Sequence, residues 1–216
     1  MDEWMTTLAF IQATTLLLSD YPTEKMDVIF FHGRAEGDDD NLFELAADLF
    51  RENKTKFIAL NGSDGQRLGG VIPDESWPGK SYYTKRLKEQ GIDCQRIIYS
   101  RPALHTREEN DAFLELARTR DFQVAAILTQ PHQILRVMLG IIQSMTDHDY
   151  WIRIYPINPK STSWWKPVYG SQGKKQLPRF EHIEEEFQRV LLYQRSGTLT
   201  TFECLFNYLR RRGDMA

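Results

Sequence analysis

The chain has 216 residues, of which 41% are apolar and 26% are charged, a composition typical of a globular protein and unlike that of a disordered one. This length suits one domain with a sizeable core. The formal net charge of -3 gives no general attraction to nucleic acid, so no nucleic-acid partner is expected. Cys94 and Cys204 lie far apart and form no metal-binding pair, which favours two plain thiols in a reducing compartment.

The apolar segment at residues 8–18 is the first predicted element. It is shorter than the roughly 20 apolar residues that a membrane span needs. Asp2 and Glu3 precede it, whereas a signal peptide begins with basic residues. We therefore expect a helix that docks on the rest of a cytoplasmic protein, without a membrane span. By helical spacing, its docking face consists of Leu8, Ile11, Thr15 and Leu18.

Short apolar runs bounded by turn residues predict buried strands, because such runs are typical of parallel sheets. Segments with apolar residues at helical spacing lie between them. Strands that alternate with helices indicate βαβ units, so we predict an α/β protein with a mainly parallel sheet of about five strands. The strands are predicted at 27–31, 56–60, 96–99, 124–128 and 151–155, and the helices between them at 42–49, 82–90, 107–118 and 131–144.

The chain changes character after Pro156. Trp164 and Trp165 lie among prolines, glycines and basic residues, and such a stretch could stack on bases. Without a wider basic face, we interpret it as a lid over the site or as a contact surface in a homo-oligomer, and both alternatives stay open. Two amphipathic helices follow, with stripes of Ile183, Phe187, Val190 and Leu191 and of Leu199, Phe202, Leu205, Phe206 and Leu209. We predict a single domain over residues 1–216 with helical extensions at both ends, the lid and C-terminal extension covering about residues 158–212.

Ligands of open parallel sheets bind outside the carboxyl ends of the strands, where helix N-termini present free amides. We therefore expect ligand-binding residues in the turns that follow the strands. His32, Gly33 and Arg34 follow the first strand, and Asn61 and Gly62 follow the second. The arginine could hold an anion. Gly62 could bring backbone amides close to a phosphate, although a plain turn explains it equally well.

The turn at residues 105–110 follows the third strand and opens a helix. Thr106 and Glu109 fit a capping box, in which each side chain satisfies a free amide at the helix start. Glu108 is then the residue that could hydrogen-bond a ligand hydroxyl or amine. Asn110 either packs or contacts the ligand, and His105 is a candidate proton carrier.

The turn at residues 129–136 follows the fourth strand, and Pro131 suits the first turn of a helix. Arg136 lies about one helical turn beyond His132, so both side chains could reach an anion at the same helix mouth. The structural alternative is a satisfied, partly buried histidine and a surface arginine. His132 is therefore a candidate for catalysis and Arg136 for anion binding.

Several sharper motifs are incomplete. Residues 79–81 resemble the end of a phosphate-binding P-loop, but Asp74 stands where the first glycine is required. The five histidines lack the spacing of a zinc site, so no metal is predicted. The acidic run at 38–40 could hold a hard cation, but a solvated acidic turn is the simpler interpretation.

The order of these motifs resembles the SanA/ElyC/YdcF family of bacterial proteins. An aspartate-started strand at 27–31, the turn after strand 56–60, the Thr106-x-Glu108 turn and the turn at 129–136 follow the family order, over about residues 27–155. The resemblance implies a Rossmann-like three-layer fold with a ligand cleft at the strand ends. Members are linked to cell-envelope physiology. One branch is associated with S-adenosylmethionine, which makes that molecule the candidate cofactor, and the lack of an N-terminal anchor matches the soluble branch.

Three positions depart from the family pattern. Glu109 stands where the family often has asparagine, although Asn110 follows directly. Asn61 replaces the usual serine. Gln133 stands where the family has histidine, if Arg136 matches the family arginine. His132 would then have to act from the neighbouring position, about 100° away around a helix.

Two hypotheses about function follow. In the first, a transferase or hydrolase acts on a nucleotide-type or phosphorylated small molecule, and Glu108, His105, His132 or His32 takes part in catalysis. In the second, the same cleft senses a metabolite or serves as an interaction module without catalysis. The ligand-binding residues expected in either case are His32, Gly33, Arg34, Asn61, Gly62, Thr106, Glu108, Asn110, Thr129, Gln130, Gln133 and Arg136.

Overall fold

Runs of aromatic and branched apolar residues form the strands of a five-stranded parallel sheet. In the computed structural model, which describes residues 3–34, 37–38, 41–64, 77–170 and 176–215, these strands are β1 (Met26–Phe31), β2 (Thr55–Leu60), β3 (Ile97–Tyr99), β4 (Val124–Leu128) and β5 (Arg153–Ile157). Their order across the sheet is β3-β2-β1-β4-β5, and each neighbouring pair is parallel. The predicted α/β class with a parallel sheet of about five strands is confirmed.

Helices precede, separate and follow the strands, as the periodicity predicts. They are α1 (Glu3–Ser19), α2 (Leu42–Arg51), α3 (Gly79–Glu89), α4 (Thr106–Arg120), α5 (Ile134–His148), α6 (His182–Arg195) and α7 (Phe202–Arg211). A short 3-10 turn, Pro131–Gln133, leads into α5, and its proline occupies the first turn, where no amide is needed. In the predicted lid segment, β6 (Pro167–Tyr169) and β7 (Gln176–Pro178) form an antiparallel pair.

Successive side chains of a strand point to opposite faces of the sheet, and apolar side chains occupy both faces. Val28 and Phe30 of β1 belong to the cluster that α1, α4, α5, α6 and α7 cover. Ile29 and Phe31 belong to the cluster on the other face, which α2 and α3 cover. Helices on both faces of a parallel sheet give the three layers of a Rossmann-like architecture.

A topological switch point lies between β1 and β4. The chain first adds β2 and β3 on one side of β1 and then crosses over to add β4 and β5 on the other. Phe31 pairs with Leu128 at the carboxyl ends of the two strands, and the His32 amide donates to the Leu128 carbonyl (3.0 Å). The chain connections diverge here, and doubly wound sheets bind their ligands in the crevice that such a divergence leaves.

The C-terminal segment closes the β5 edge of the sheet with side chains. The Tyr208 hydroxyl accepts a hydrogen bond from the Ile154 amide (2.6 Å) and donates one to the Ile152 carbonyl (2.9 Å). Arg212 donates to the Ile154 carbonyl (2.8 Å) and forms an ion pair with Asp20, just after α1 (2.6 Å). These contacts satisfy backbone groups that an open edge would offer to another chain.

The N-terminal helix α1 docks through a different face from the one predicted. Ala13 and Leu17 are buried, whereas Ile11 is 55% exposed and Leu18 is 42% exposed. The prediction was wrong because α1 carries apolar residues on both faces, and periodicity alone does not say which face packs. Within the described ranges, no helix combines the length and the apolar character that crossing a membrane requires.

Candidate functional site

Glu109 is the centre of a buried polar cluster at the carboxyl ends of the strands. It lies in the first turn of α4, and its Oε2 is 3.0 Å from Nδ1 of His32, which follows β1. Its Oε1 accepts a hydrogen bond from Nδ2 of Asn61, which follows β2 (3.2 Å). The Gly33 amide also donates to the carboxylate. One carboxylate therefore joins the turns after β1 and β2 to the start of α4.

The surroundings of Glu109 keep it ionised although it is buried. Burial by itself would raise the pKa of this carboxyl, but the charge of His32 and the hydrogen bonds from His32, Asn61 and Gly33 outweigh it and lower the pKa below the usual range. Nε2 of His32 lies 3.1 Å from Oδ1 of Asn110. His32 therefore contacts Glu109 through one ring nitrogen and Asn110 through the other, and the residue is 3% exposed.

The cap of α4 lies one residue earlier than predicted. His105 is the N-cap, and its Nδ1 accepts from the Glu108 amide (3.3 Å), while the Glu108 carboxylate accepts from the Leu104 amide (2.8 Å). The predicted capping box of Thr106 and Glu109 is wrong, because an imidazole nitrogen here takes the place of a hydroxyl and shifts the motif by one residue. Glu108 therefore faces the cap, and Glu109 faces the cleft.

Asn61 and Gly62 shape the turn after β2. Oδ1 of the asparagine accepts from the amides of Ser63 (3.0 Å) and Ala103 (3.0 Å), and its Nδ2 donates to the Ala103 carbonyl (2.8 Å). Gly62 lies so close to the next turn that a Cβ would be 2.2 Å from the Ser100 carbonyl oxygen. The close approach of two turns accounts for this glycine without a bound phosphate.

Asp38 joins two arginines in a second buried cluster. Its Oδ2 accepts from Nε of Arg34 (2.8 Å), and its Oδ1 accepts from Nε and Nη2 of Arg179 (3.2 and 3.1 Å). Gln130, which follows β4, donates to the Asp38 carbonyl (2.6 Å). None of these four residues is more than 5% exposed. Within the described part of the chain, two guanidinium groups share one carboxylate, so the cluster carries a net positive charge.

The acidic run at 38–40 is therefore not a solvated turn at its first residue. Asp38 is 1% exposed, and its carboxylate is occupied by arginines, which contradicts that interpretation. Asp39, Asp40 and Asp74 lie outside the described residues. Among the residues that are described, no group of three or more His, Cys, Asp or Glu side chains is placed to hold a metal ion.

Arg136 forms a third buried cluster with Glu186 of α6. Its Nε and Nη2 donate to the two carboxylate oxygens (2.5 and 3.3 Å), and its Nη1 donates to Oγ1 of Thr106 (3.0 Å). Burial would raise the pKa of Glu186, but Arg136, Arg189 and Arg34 lower it. The alternative of a surface arginine is wrong, because Arg136 is 6% exposed. Glu186 balances its charge.

His132 is a buried histidine next to these arginines. It is 8% exposed, and the centroid of its ring lies 6.1 Å from that of His182. Neither ring nitrogen has a hydrogen-bond partner among the described residues. Burial, together with the nearby charges of Arg34, Arg179, His182 and Arg136, holds the pKa of His132 well below its usual range. The ring is therefore neutral near pH 7, and the alternative of a satisfied histidine is wrong.

The turn after β4 carries further polar atoms of the same kind. Oγ1 of Thr129 and Nε2 of Gln133 are buried and, in the described part of the chain, have no hydrogen-bond partner. Each buried polar atom without a partner costs about 1–3 kcal/mol, so such atoms are few in folded proteins. Their concentration around His132 marks a place where polar atoms from outside the chain can complete the hydrogen bonds.

A cavity of about 420 Å³ adjoins the Asp38 cluster. Gln130 and Arg179 line it from the site, and Phe43 and Arg86 line it from α2 and α3. The Arg86 guanidinium lies 4.7 Å from the centre of the Phe43 ring. The volume of the cavity falls in the range of small-molecule sites.

The fold brings together most of the predicted ligand-binding residues and leaves others apart. The cluster around Glu109 contains His32, Gly33, Asn61 and Asn110. The cluster around Asp38 contains Arg34 and Gln130, and the cluster around Glu186 contains Thr106 and Arg136. Thr129 and Gln133 belong to the same turn as His132. The side chains of His105 and Glu108 lie apart from these clusters, because they cap α4 and are 60% and 38% exposed.

The C-terminal residues of the site were missed from the sequence. His182 and Glu186 are buried one helical turn apart on α6, whereas Ile183 of the predicted apolar stripe is 40% exposed. A charged residue among apolar ones on one helical face indicates a buried ion pair, and Glu186 is such a residue. Asp38 and Arg179 offered no such signal, because 141 residues separate them and only the fold brings them together.

The sequence matches no model of a known protein family and no curated protein. Membership of the SanA/ElyC/YdcF family therefore stays a prediction.

Proposed function

We propose that the cleft at the switch point binds a phosphorylated small molecule. The observation that carries this proposal is His132, a buried ring whose two nitrogens lack partners among the described residues. Three buried arginines, Arg34, Arg136 and Arg179, act on this ring. A phosphate group supplies hydrogen-bonding oxygens and negative charge together, which is what this surrounding lacks.

The charges of the arginine clusters favour an anion. Arg136 and Glu186 balance each other. Arg34 and Arg179 share Asp38, which leaves one positive charge in excess within the described residues. A buried charge is costly unless it is paired, so an anion at this place stabilises the protein and a cationic ligand does not.

The hydrogen-bonding groups fit the same ligand. Neutral His132 donates from one ring nitrogen and accepts at the other, so it can bind a phosphate oxygen and a hydroxyl of the ligand. Gln133 Nε2 adds a donor, and Thr129 Oγ1 can donate or accept. The adjoining cavity of about 420 Å³ offers room for the organic part of the molecule.

His132 is also the best placed of the candidate proton carriers. Both nitrogens of His32 are engaged by Glu109 and Asn110. His105 is exposed at the cap of α4. A neutral imidazole with a free nitrogen can take a proton from an attacking hydroxyl or water once the negative charge of a bound phosphate offsets the arginines that lower its pKa. We assign that role to His132 in the enzymatic form of the proposal.

S-adenosylmethionine is the second ligand candidate. The resemblance to the SanA/ElyC/YdcF family supports it, and its carboxylate could pair with an arginine. It also carries a sulfonium and an ammonium group, so its net charge is positive. The excess positive charge near Asp38 therefore favours phosphorylated compounds over S-adenosylmethionine.

Isothermal titration of the purified protein tests this order. The probes are inorganic phosphate, AMP, ATP, glucose 6-phosphate and S-adenosylmethionine. At least one phosphorylated probe should bind, and His132→Ala should weaken its binding by about tenfold or more, because hydrogen bonds to a charged group are worth about 1.5–3 kcal/mol. His148→Ala, at the opposite end of α5, is the matched control and should bind like the wild type.

The outcomes separate the alternatives. If no phosphorylated probe binds, or if His132→Ala binds it as tightly as the wild type does, the proposal is wrong. Tighter binding of S-adenosylmethionine than of ATP would reverse the order of the candidates. Product formation by the wild type that is lost in His132→Ala indicates an enzyme. Binding without any product indicates a metabolite-sensing module.

A further inference from the structure

An apolar stripe runs along the solvent-facing side of α1. Its apolar members are Trp4 (72% exposed), Leu8 (38%), Ile11 (55%) and Leu18 (42%). Thr15 is exposed and completes the stripe. We call these five residues the α1 seam. Single exposed apolar residues are ordinary, but a contiguous group of them on one element marks a surface that contacts something else.

The α1 seam is separate from the face that holds the helix to the protein. Ala13 and Leu17 are fully buried in the core cluster on that side of the sheet. The seam is therefore not needed to anchor α1, and its exposure is not compensated within the described residues by another element of the chain.

A groove beside the α1 seam adds to the surface. It has a volume of about 710 Å³ and lies between α1 and α7. Ile11 and Leu16 line one wall, and two apolar residues of α7, Phe206 and Leu209, line the other together with Arg210. The two α7 residues are half-buried and pack on the core, so the apolar floor is held in place.

The spacing of the seam suits a helical partner. Its members follow one another at intervals of four, three, four and three residues, which is the a/d pattern of a coiled-coil contact. The 17 residues of α1 make a surface about 25 Å long. A second helix laid along it can insert its side chains between those of the seam.

The lack of charged residues along α1 indicates which kind of partner fits the α1 seam. No charged residue occurs from Trp4 to Ser19. A helix that lies on a membrane carries Lys or Arg on its polar face, and α1 has neither. A charged protein surface would lose its hydration against the seam without gaining an ion pair. A second α1 seam is equally neutral and has the same spacing, so it matches without an unpaired charge.

We propose that the chain forms a symmetric dimer in which the α1 seams of two copies pack antiparallel. In a two-fold contact each copy offers the same surface to the other. Ile11 is the middle member of the seam, so the two Ile11 side chains meet at the axis. Trp4 of each copy then lies near Leu18 of the other. The dimer leaves the ligand site unchanged, and it stands whether or not a phosphorylated molecule binds there.

Sedimentation equilibrium of the full chain measures this directly. The wild type should have twice the chain mass of 25.3 kDa. Ile11→Glu places two like charges at the axis, so it should raise the dimer dissociation constant by roughly 30-fold or more. Leu192→Glu makes the same kind of change at a 59% exposed apolar residue of α6 and should leave the dimer intact. Circular dichroism should show the same helix content in all three proteins.

A cross-linking experiment tests whether the two α1 seams meet at Ile11, as the antiparallel arrangement requires. In a background with Cys94→Ser and Cys204→Ser, Ile11→Cys should form an intermolecular disulfide on mild oxidation, and Leu192→Cys should not. A wild type that stays monomeric, or equal effects of Ile11→Glu and Leu192→Glu, would overturn the proposal. So would a monomer that binds phosphatidylcholine vesicles through the seam. A dimer without the Ile11→Cys cross-link would exclude this antiparallel contact.

Discussion

Nδ1 of His32 lies 3.0 Å from Oε2 of Glu109, and this contact ties the turn after β1 to the first turn of α4. The helix α4 is the crossover that carries the chain from β3 to β4, over the central strands. The pair therefore fixes the crossover helix at the switch point, next to the turn that holds His132.

Glu109 and Glu108 are adjacent in the chain and should differ sharply on substitution. Glu109→Ala removes the buried carboxylate that Nδ1 of His32, Nδ2 of Asn61 and the Gly33 amide contact, so the free energy of unfolding should fall by about 3 kcal/mol or more. Glu108→Ala removes a contact at the cap of α4 and should cost about 1 kcal/mol. Urea denaturation of both variants measures the two losses. Equal losses would show that the contacts of Glu109 do not hold the crossover helix.

His132 should make stability depend on pH just below neutrality. Its pKa is well below the ordinary histidine value of 6.5 in the folded protein. Below pH 6.5 the unfolded chain therefore binds a proton that the folded protein excludes, and the free energy of unfolding falls as the pH drops. The loss from this residue should be about 1 kcal/mol over the first pH unit below the ordinary value, because the unfolded histidine becomes protonated progressively over that range.

Urea denaturation at several pH values, in a buffer without phosphate or sulfate, measures this dependence. In His132→Gln the free energy of unfolding should depend less steeply on pH by the same amount, because glutamine does not titrate. His148→Gln, whose side chain is 36% exposed, serves as the control and should keep the dependence of the wild type. An unchanged slope in His132→Gln would contradict the neutral, buried state of the ring.

Gly62 should tolerate no side chain. A Cβ at this position would lie 2.2 Å from the Ser100 carbonyl oxygen, so Gly62→Ala must push apart the turns after β2 and β3. We expect a loss of about 1–3 kcal/mol in the free energy of unfolding. Gly213→Ala, where a Cβ would meet no atom within 4 Å, should change it by less than about 0.5 kcal/mol. Thermal denaturation of the two alanine variants compares them.

The hydroxyl of the buried Tyr208 should contribute more to stability than the hydroxyl of the exposed Tyr99. Tyr208→Phe removes the hydrogen bonds to the Ile154 amide and the Ile152 carbonyl at the β5 edge, and should cost about 2 kcal/mol. Tyr99→Phe, at a 43% exposed residue, should cost less than about 0.5 kcal/mol. Hydrogen exchange of the Ile154 amide checks the mechanism. It should become faster in Tyr208→Phe and stay slow in Tyr99→Phe.

The strands and helices of the core could be predicted because their signals are local. The run at 124–128 is apolar throughout and matches a strand buried on both faces, and the observed β4 has the same bounds. The predicted apolar stripe of α7 is also confirmed in its centre, since Phe202 and Leu205 are buried. Such elements need only the order of apolar and polar residues.

The positions of the terminal helices could not be predicted in this way. The helix α1 has apolar residues on two faces, so the sequence allowed two ways of packing, and the one with small Ala13 against the core is observed.

In α4, the periodicity located the helix but not its cap. An imidazole at residue 105 replaces the hydroxyl that the capping rule seeks, and that choice decided which glutamate faces the cleft.

The sequence by itself determined the α/β class, the order of the elements and the turns in which the site lies, because apolar periodicity and turn residues act over a few positions. Only the tertiary structure decided which charges meet. Asp38 with Arg179, and Arg136 with Glu186, are pairs whose members lie 141 and 50 residues apart. Such pairs form because burial removes water from charged groups, and each group must then find its partner wherever the fold places it.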